Sequence, residues 1–168
     1  MTLIGAINQV NKKIIFVDRK WGLSEFREKN KIFTNLSEEN YLAVSGFVLK
    51  EFINNFKENK NHESIESLVK DSYDNTNFPG TSFISYNLQE DSLKGHFVNG
   101  KIESYKIINY LFLGFKIKEL EGFDFKDINH TLIPSLKNHQ KKYPDYIGGL
   151  FDILIFQNKT PIWMKVKL

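Results

Sequence analysis

The composition of this 168-residue chain excludes several classes of protein. Hydrophobic residues make up 41% of the sequence and aromatic residues 14%, so the chain can bury the core of one ordinary domain and is not disordered. The net charge is only +3, and the basic residues alternate with acidic ones, so they form no continuous basic surface that could bind nucleic acid. The absence of cysteine excludes disulfides, thiolate zinc sites and a cysteine nucleophile.

Leader and membrane segments are not expected. The first apolar stretch, residues 3–10, is short, is broken by Asn8 and Gln9, and leads into a second strand-like run instead of a cleavage site. No segment approaches the roughly 18 to 20 continuous apolar residues that cross a bilayer. We therefore expect a cytoplasmic protein without a membrane partner.

The first third of the chain predicts strands that lead into a helix. Runs rich in Ile, Val and Phe at residues 2–7 and 13–17 predict a hairpin-like pair. Residues 31–36 and 41–45 predict two further strands around a polar turn. Apolar residues then recur every three or four positions over residues 47–56, which predicts an amphipathic helix.

The middle of the chain predicts a second helix followed by more strands. Residues 63–73 have a helical apolar face, and residues 81–87 return to a strand pattern. Asn99 and Gly100 predict a tight hairpin turn, because both accept positive φ angles. Residues 105–117 are so uniformly apolar that a helix and a buried strand fit them equally well.

The last 42 residues predict one helix and two strands. Residues 127–143 have an acidic start and a basic end, which suits the helix dipole, and Pro134 is expected to kink or delay this helix. Residues 150–157 predict a strong strand after Gly148 and Gly149. A turn then leads into a final strand at residues 161–168.

Thr2 is a candidate nucleophile. A hydroxyl nucleophile needs a base nearby, and the α-amine of a terminal residue can serve because its unperturbed pKa is about 7.7 to 8.0. Threonine is small enough for the initiator Met1 to be removed, which would expose that amine. The alternative is that Thr2 simply opens the first strand, since many proteins begin with Met-Thr.

Four short motifs follow one another in a recognisable order. Asp18 lies sixteen positions after Thr2 and is followed by an arginine. The motifs are Thr2-Leu3-Ile4-Gly5, Ile14-Ile15-Phe16-Val17-Asp18-Arg19, Lys31-Ile32-Phe33 and Leu42-Ala43-Val44-Ser45-Gly46. Together they resemble the β subunits of proteasomes and their bacterial two-ring relatives, in which the same spacing separates the nucleophilic threonine from an aspartate.

The resemblance implies a role for each of these residues. Lys31 matches the catalytic lysine that lowers the pKa of the Thr2 hydroxyl, with a small gap in the preceding loop, and Asp18 matches the aspartate that holds this lysine charged and oriented. Gly46 matches the glycine whose backbone N–H belongs to the oxyanion hole. Val44 matches a position that lines the specificity pocket and contacts substrate.

A second block of resemblance lies at residues 144–155. It contains the family's Asp, Gly-Gly and Asp-Ile entry into a strand, and Asp145 matches a catalytic aspartate. Two supporting serines are missing, because Ile147 stands beside the glycines and residues 105–115 contain no Ser-Gly pair. Those serines would hydrogen-bond around the nucleophile and hold its geometry.

The resemblance implies one N-terminal-nucleophile hydrolase domain over residues 1–168. Its expected α+β fold is a four-layer αββα sandwich of two antiparallel sheets flanked by helices. Its expected activity is that of a threonine peptidase acting on peptides or unfolded proteins inside a homo-oligomeric ring, served by an ATP-dependent unfoldase. No cofactor is expected, and the four dispersed histidines predict no metal site.

Two other functions stay open at this point. The first is a catalytically inactive proteasome-like structural subunit that retains Met1, which the missing serines favour. The second is an amidase that uses the same nucleophile on a small metabolite. Loss or retention of Met1 separates the first from an enzyme, and cleavage of peptide reporters separates the second from a peptidase.

Overall fold

Strands dominate the architecture of this protein. The computed structural model describes residues 3–20, 30–58, 64–73, 80–114 and 127–168. Of these residues, 46% lie in strands and 25% in helices. The described parts of the chain form two five-stranded antiparallel sheets and three α-helices.

The first sheet joins the two ends of the chain. All of its neighbouring strands are antiparallel. From one edge to the other its strands are β10 (Thr160–Lys167), β9 (Leu150–Gln157), β2 (Lys12–Asp18), β1 (Ile4–Gln9) and β8 (Tyr110–Leu113). The pairing of β2 with β9 sets Val17 opposite Asp152, so motifs far apart in sequence meet in the middle of this sheet.

The second sheet follows chain order. Its strands are β3 (Ile32–Thr34), β4 (Asn40–Ser45), β5 (Thr81–Asn87), β6 (Ser92–Val98) and β7 (Ile102–Lys106). Gly100 has a φ of 71° in the turn between β6 and β7, as the Asn-Gly pair predicts. Because consecutive strands pair antiparallel, short turns are enough to connect most of them.

The two sheets pack face to face through a shared core. Alternation along each strand sends every second side chain to this interface. Tyr86 of β5 contacts Phe156 of β9 with ring centroids 4.2 Å apart, and Tyr41 of β4 meets the same ring at 4.7 Å. Ile84 belongs to the same buried cluster, whereas Phe83 belongs to a cluster on the other face of the second sheet.

Two helices pack on the outer face of the second sheet. They are α1 (Lys50–Glu58) and α2 (Ile65–Tyr73), and both carry the apolar spacing that predicts them. Phe52, Ile53 and Phe56 of α1 are buried in a cluster with strand residues of this sheet. The hydroxyl of Tyr73 accepts a hydrogen bond from Leu49 N at 3.0 Å, which ties α2 to the start of α1.

A third helix packs against the first sheet. A π-helical turn at Ile128–Leu132 precedes α3 (Ile133–Lys142), so the predicted helix is delayed near Pro134. Asp127 caps the turn, because its carboxylate accepts from Asn129 N at 2.9 Å and His130 N at 3.1 Å. In the parts of the chain that the structure describes, no helix has the length and apolarity needed to cross a membrane.

The expectation of a four-layer αββα sandwich flanked by helices is wrong. Strands outweigh helices by 46% to 25%, and the three α-helices contain nine, nine and ten residues. A nine-residue helix is about 14 Å long, whereas the outer strands of a five-stranded sheet lie about 19 Å apart. Helices of this number and length cover only part of the outer face of each sheet, so they do not form two complete helical layers. Within its described residues, 105–114, the undecided apolar segment contains the end of β7 and all of β8, and the rest of the segment lies outside the described residues.

Candidate functional site

Asp18 ends β2 and holds the beginning of the described chain. Its Oδ2 accepts a hydrogen bond from Leu3 N at 2.8 Å, and its Oδ1 accepts one from Lys20 N at 2.6 Å. The side chain is fully buried. The hairpin register explains this meeting: Ile4 pairs with Val17, so Leu3 lies beside Asp18. The sixteen-residue spacing of the sequence motif is therefore a property of the β1–β2 hairpin.

Lys31 brings a positive charge to this carboxylate from the second sheet. It lies immediately before β3 and has no solvent-exposed side-chain surface. Its Nζ is 4.0 Å from Asp18 Oδ1 and donates a hydrogen bond to the backbone carbonyl of Lys20. The ion pair therefore bridges the two sheets.

Burial moves both groups of this pair toward their neutral forms. Loss of hydration lowers the pKa of Lys31 from 10.5 to about 8, against the opposing attraction of Asp18 and Asp152. Burial likewise raises the pKa of Asp18 above 3.8, although the N–H of Leu3 and the ammonium of Lys31 oppose it. A lysine with a pKa near 8 can both hold and release a proton close to neutral pH.

Arg19 and Asp152 extend this group of charges. Arg19 donates to Asp152 Oδ1 from Nε at 2.8 Å and from Nη2 at 2.6 Å, and Nη2 also donates to Asn30 Oδ1 at 3.1 Å. Oδ2 of Asp152 is buried, and no hydrogen-bond partner is found for it in the structure as described. Such an oxygen is costly to bury, so it is an acceptor that remains open within the site. We call Asp18, Arg19, Lys31 and Asp152 the Asp18 cluster.

The loop before β9 closes against the Asp18 cluster. A Cβ on Gly148 would lie 3.1 Å from Lys20 Cβ and 3.5 Å from Asp18 Oδ1, so this backbone approaches too closely for a larger residue to fit without adjustment. Lys20 Nζ donates to the carbonyls of Pro144, at 3.2 Å, and of Asp145. The Gly-Gly signal in the sequence thus marks a packing requirement next to the site.

Asp145 and Ile147 occupy this loop in different ways. Asp145 is exposed, and it is the backbone carbonyl that meets Lys20, so a catalytic role for its carboxylate stays a prediction. Ile147 is buried in the core cluster that contains Leu136 of α3 and Phe151 of β9. An apolar side chain packs at this position, where the family resemblance calls for a serine.

Val44 lies on β4, which pairs with the segment that follows Lys31, and Gly46 comes directly after this strand. Val44 N donates to Lys31 O at 3.0 Å. Gly46 follows β4 directly and has a φ of +92°, and a Cβ there would lie 2.4 Å from the carbonyl oxygen of Gly80. Only glycine fits this conformation and this contact. The side chain of Val44 is fully buried with Phe52 and its neighbours, so contact with substrate stays a prediction.

Thr2 lies outside the described residues. The structure therefore brings together Asp18 and Lys31 beside Leu3, with Gly46 just after the neighbouring strand β4, and does not describe the predicted nucleophile itself. The pairing of Arg19 with Asp152 was not predicted from the sequence. Both residues stand inside the quoted motifs, and their charges next to predicted strand ends were the available signal.

Neither a metal-binding group among the described residues nor a match to a known protein indicates a function for this site. No set of three or more His, Asp or Glu side chains is placed to hold a metal ion in the described portion of the chain. No protein-family model matches the sequence, and no curated protein gives a significant match. The proposal for the function therefore rests on the residues of the Asp18 cluster.

Proposed function

We propose that this protein is a threonine peptidase whose nucleophile is Thr2 after removal of Met1. One observation carries the proposal: the Asp18 carboxylate accepts a hydrogen bond from Leu3 N at 2.8 Å and lies 4.0 Å from the Lys31 ammonium. Leu3 N belongs to the peptide bond that joins residues 2 and 3. A buried acid and a buried ammonium thus lie beside residue 3, which follows the proposed nucleophile in the sequence, and this supports the proposal.

The proposed reaction forms and breaks an ester on Thr2. Its Oγ1 attacks the substrate carbonyl carbon, and the hydroxyl proton passes through water to the α-amine of Thr2. The scissile C–N bond then breaks, and the leaving amine takes up a proton. Water hydrolyses the resulting ester, which releases a carboxylic acid and restores the Thr2 hydroxyl.

Lys31, Asp18 and Gly46 support this reaction in different ways. The Lys31 ammonium lowers the pKa of a nearby hydroxyl by favouring its anionic form, and Asp18 keeps the ammonium oriented. The Gly46 N–H stabilises the oxyanion, and loss of one such donor typically raises the barrier by about 2 to 4 kcal/mol. The pKa of Lys31 near 8 supports proton exchange during each turnover.

Substrate class and assembly enter this proposal through the family resemblance. We expect unfolded chains to be cleaved within a cytoplasmic homo-oligomeric ring that an ATP-dependent unfoldase feeds. Ile108 is 78% exposed and Tyr110 is 47% exposed, and these side chains offer apolar surface for self-association. Sedimentation at micromolar concentration tests the ring, and a strict monomer contradicts it.

Labelling with a peptide epoxyketone tests the nucleophile. Its two electrophilic carbons require both the hydroxyl and the free α-amine of a terminal threonine. We expect the intact mass to show loss of Met1 and one added inhibitor, and Thr2→Ala to abolish the adduct. An adduct that persists in Thr2→Ala means that the nucleophile is elsewhere in the chain.

A matched pair of lysine variants separates the role of the Asp18 cluster from a general effect of charge. Lys31→Met should lose labelling while its circular dichroism spectrum stays native. Lys94→Met removes a lysine that is 32% exposed and should label like the parent chain. Equal labelling of both folded variants contradicts the role assigned to Lys31.

A catalytically inactive structural subunit is the second candidate. The burial of Ile147 in the core favours it, because a serine hydroxyl expected near the nucleophile is absent there. Complete retention of Met1 in the intact protein would support this candidate, since it blocks the amine. A metabolite amidase is distinguished by labelling without cleavage of any peptide reporter.

A further inference from the structure

A polar cavity lies on the outer face of the second sheet, remote in sequence from Thr2. It has a volume of about 140 Å³ and lies between β5, β6 and the facing ends of α1 and α2. Its polar lining includes Asn55, Glu66, Ser85, Asn87, Ser92 and Lys94. We propose that this cavity binds a small neutral polyol, no larger than a monosaccharide, through the hydroxyl of Ser85 and the surrounding amides.

Ser85 belongs to a chain of three hydrogen-bonded side chains. Its Oγ is 2.8 Å from His96 Nε2, and His96 Nδ1 is 2.9 Å from Ser104 Oγ. Burial lowers the pKa of His96 to about 4, so the ring is neutral near pH 7 and carries one proton on one nitrogen. We call these residues the Ser85–His96–Ser104 network.

The network allows Ser85 to act as a donor or an acceptor toward the cavity. With the proton on Nε2, His96 donates to Ser85 Oγ, and the serine proton is available to a ligand. With the proton on Nδ1, Ser85 donates to His96, and its oxygen is available to accept. A ligand hydroxyl, which also donates and accepts, matches both arrangements.

The charges in the lining disfavour an anionic ligand. Lys94 Nζ is 2.7 Å from Glu66 Oε1 and 4.0 Å from Glu90 Oε2. All three residues line the cavity, so two carboxylates accompany its one lysine within the described lining. The resulting negative balance repels phosphates and carboxylates.

The remaining walls are organised and partly apolar. Asn87 Nδ2 donates to Asn40 Oδ1 at 2.9 Å, and Asn87 Oδ1 accepts from Glu90 N at 2.7 Å, which fixes the orientation of this amide. Phe56 and Leu68 add apolar surface for the C–H groups of a sugar. A few oriented polar groups on an apolar wall are typical of small-molecule sites.

The volume limits the size of the ligand. A cavity of about 140 Å³ has room for several water molecules. This volume favours a ligand of the size of a monosaccharide or smaller over a disaccharide, a peptide or a nucleotide.

A titration of the full ¹⁵N-labelled chain with ribose, glucose and myo-inositol tests the site. We expect at least one of these probes to shift the amide signals of Ser85, Asn87 and Lys94 saturably at millimolar concentration. Ribose 5-phosphate should bind at least about tenfold more weakly than ribose, because the lining carries excess negative charge. No saturable shift with any neutral probe, or tighter binding of the phosphate, overturns the proposal.

Three variants locate the binding. Ser85→Ala should weaken binding of the best probe about five- to tenfold, as expected for the loss of one hydrogen bond. The control is Ser82→Ala, which lies on the same strand outside the cavity lining and should leave the affinity unchanged. Asn55→Leu on half-buried helix surface should weaken binding at least about tenfold and gives an answer if Ser85→Ala unfolds. Parental affinity in Asn55→Leu, or equal losses in the two serine variants, overturns the assignment.

Discussion

The Asp18 cluster and the Ser85–His96–Ser104 network both place polar groups inside strand-built regions, but their electrostatics differ. The Asp18 cluster contains buried acids and a buried lysine, and one carboxylate oxygen of Asp152 has no hydrogen-bond partner among the residues that the structure describes. In the network, the histidine is neutral near pH 7 and both of its ring nitrogens are hydrogen-bonded. Buried charge costs far more free energy than a satisfied neutral group.

This difference separates the chemistry that each region supports. Buried charges with shifted pKa values occur where protons or nucleophiles are handled. A neutral and satisfied network instead gives fixed donors and acceptors, which suits recognition of an uncharged ligand. The pKa of Lys31 near 8 suits the proposed proton transfer, and the pKa of His96 near 4 suits the proposed binding of a neutral ligand.

Breaking the charged region should have the largest effect on stability. Lys31→Met leaves the fully buried Asp18 without its ammonium partner, and we expect the free energy of unfolding to fall by about 3 to 5 kcal/mol. Lys94→Met removes a partly exposed ion pair, which should cost at most about 1 kcal/mol. Urea unfolding of both variants measures the difference. Equal losses would mean that the Asp18 cluster is hydrated and electrostatically ordinary.

The neutral region should give a pH-dependent effect of intermediate size. The pKa of His96 is about 4 in the folded chain, below its ordinary value of 6.5, so the unfolded state binds a proton first as the pH falls. Stability should therefore decrease as the pH falls from 6.5 to 4, by up to about 3 kcal/mol, with no contribution from His96 above this window.

His96→Gln isolates this contribution. Glutamine keeps a donor and an acceptor near Ser85 and Ser104 but does not titrate, so the variant should lose stability less steeply between pH 6.5 and 4. Glu66 and Lys94 also act on the His96 ring and remain in both proteins. Parallel pH profiles from chemical unfolding would show that His96 is protonated alike in the folded and unfolded chains.

The smallest expected effect is the difference in stability between removing the buried Ser85 hydroxyl and removing the exposed Ser104 hydroxyl. Ser85 is buried, so Ser85→Ala leaves His96 Nε2 without its partner and should cost about 1 to 3 kcal/mol. Ser104 is exposed, and water can replace its hydroxyl at Nδ1, so Ser104→Ala should cost less than about 1 kcal/mol. Thermal unfolding at pH 7 compares the two. A larger loss in Ser104→Ala would reverse the assignment of inner and outer positions.

Local patterns predicted most elements of the fold. The strand expected at residues 81–87 is β5, Thr81–Asn87, and the helix expected at residues 47–56 overlaps α1, which begins three residues later at Lys50 and ends at Glu58. Residues 105–117 could not be assigned, because a uniformly apolar run has no period that separates a helix from a strand. The helical layers expected from family resemblance were wrong, since resemblance in motifs does not fix the lengths of helices between them.

The candidate site was predictable in part for a similar reason. The family resemblance identified Asp18, and the structure shows that its motif spacing matches a hairpin register that carries residue 3 to residue 18, a local property of β1 and β2. The bonds of Asp152 with Arg19, and of Ser85 with His96, join residues whose contact depends on the pairing of strands. No periodicity along the chain encodes those pairings.

The sequence by itself determined where most strands and helices lie, because side-chain alternation and helical spacing are local. Tertiary structure alone decided that Arg19 pairs with Asp152 beside Asp18 and that a polar cavity forms beside Ser85. The physical reason is desolvation: only packing of the sheets and helices removes water from these groups, and that removal sets their pKa values and their chemistry.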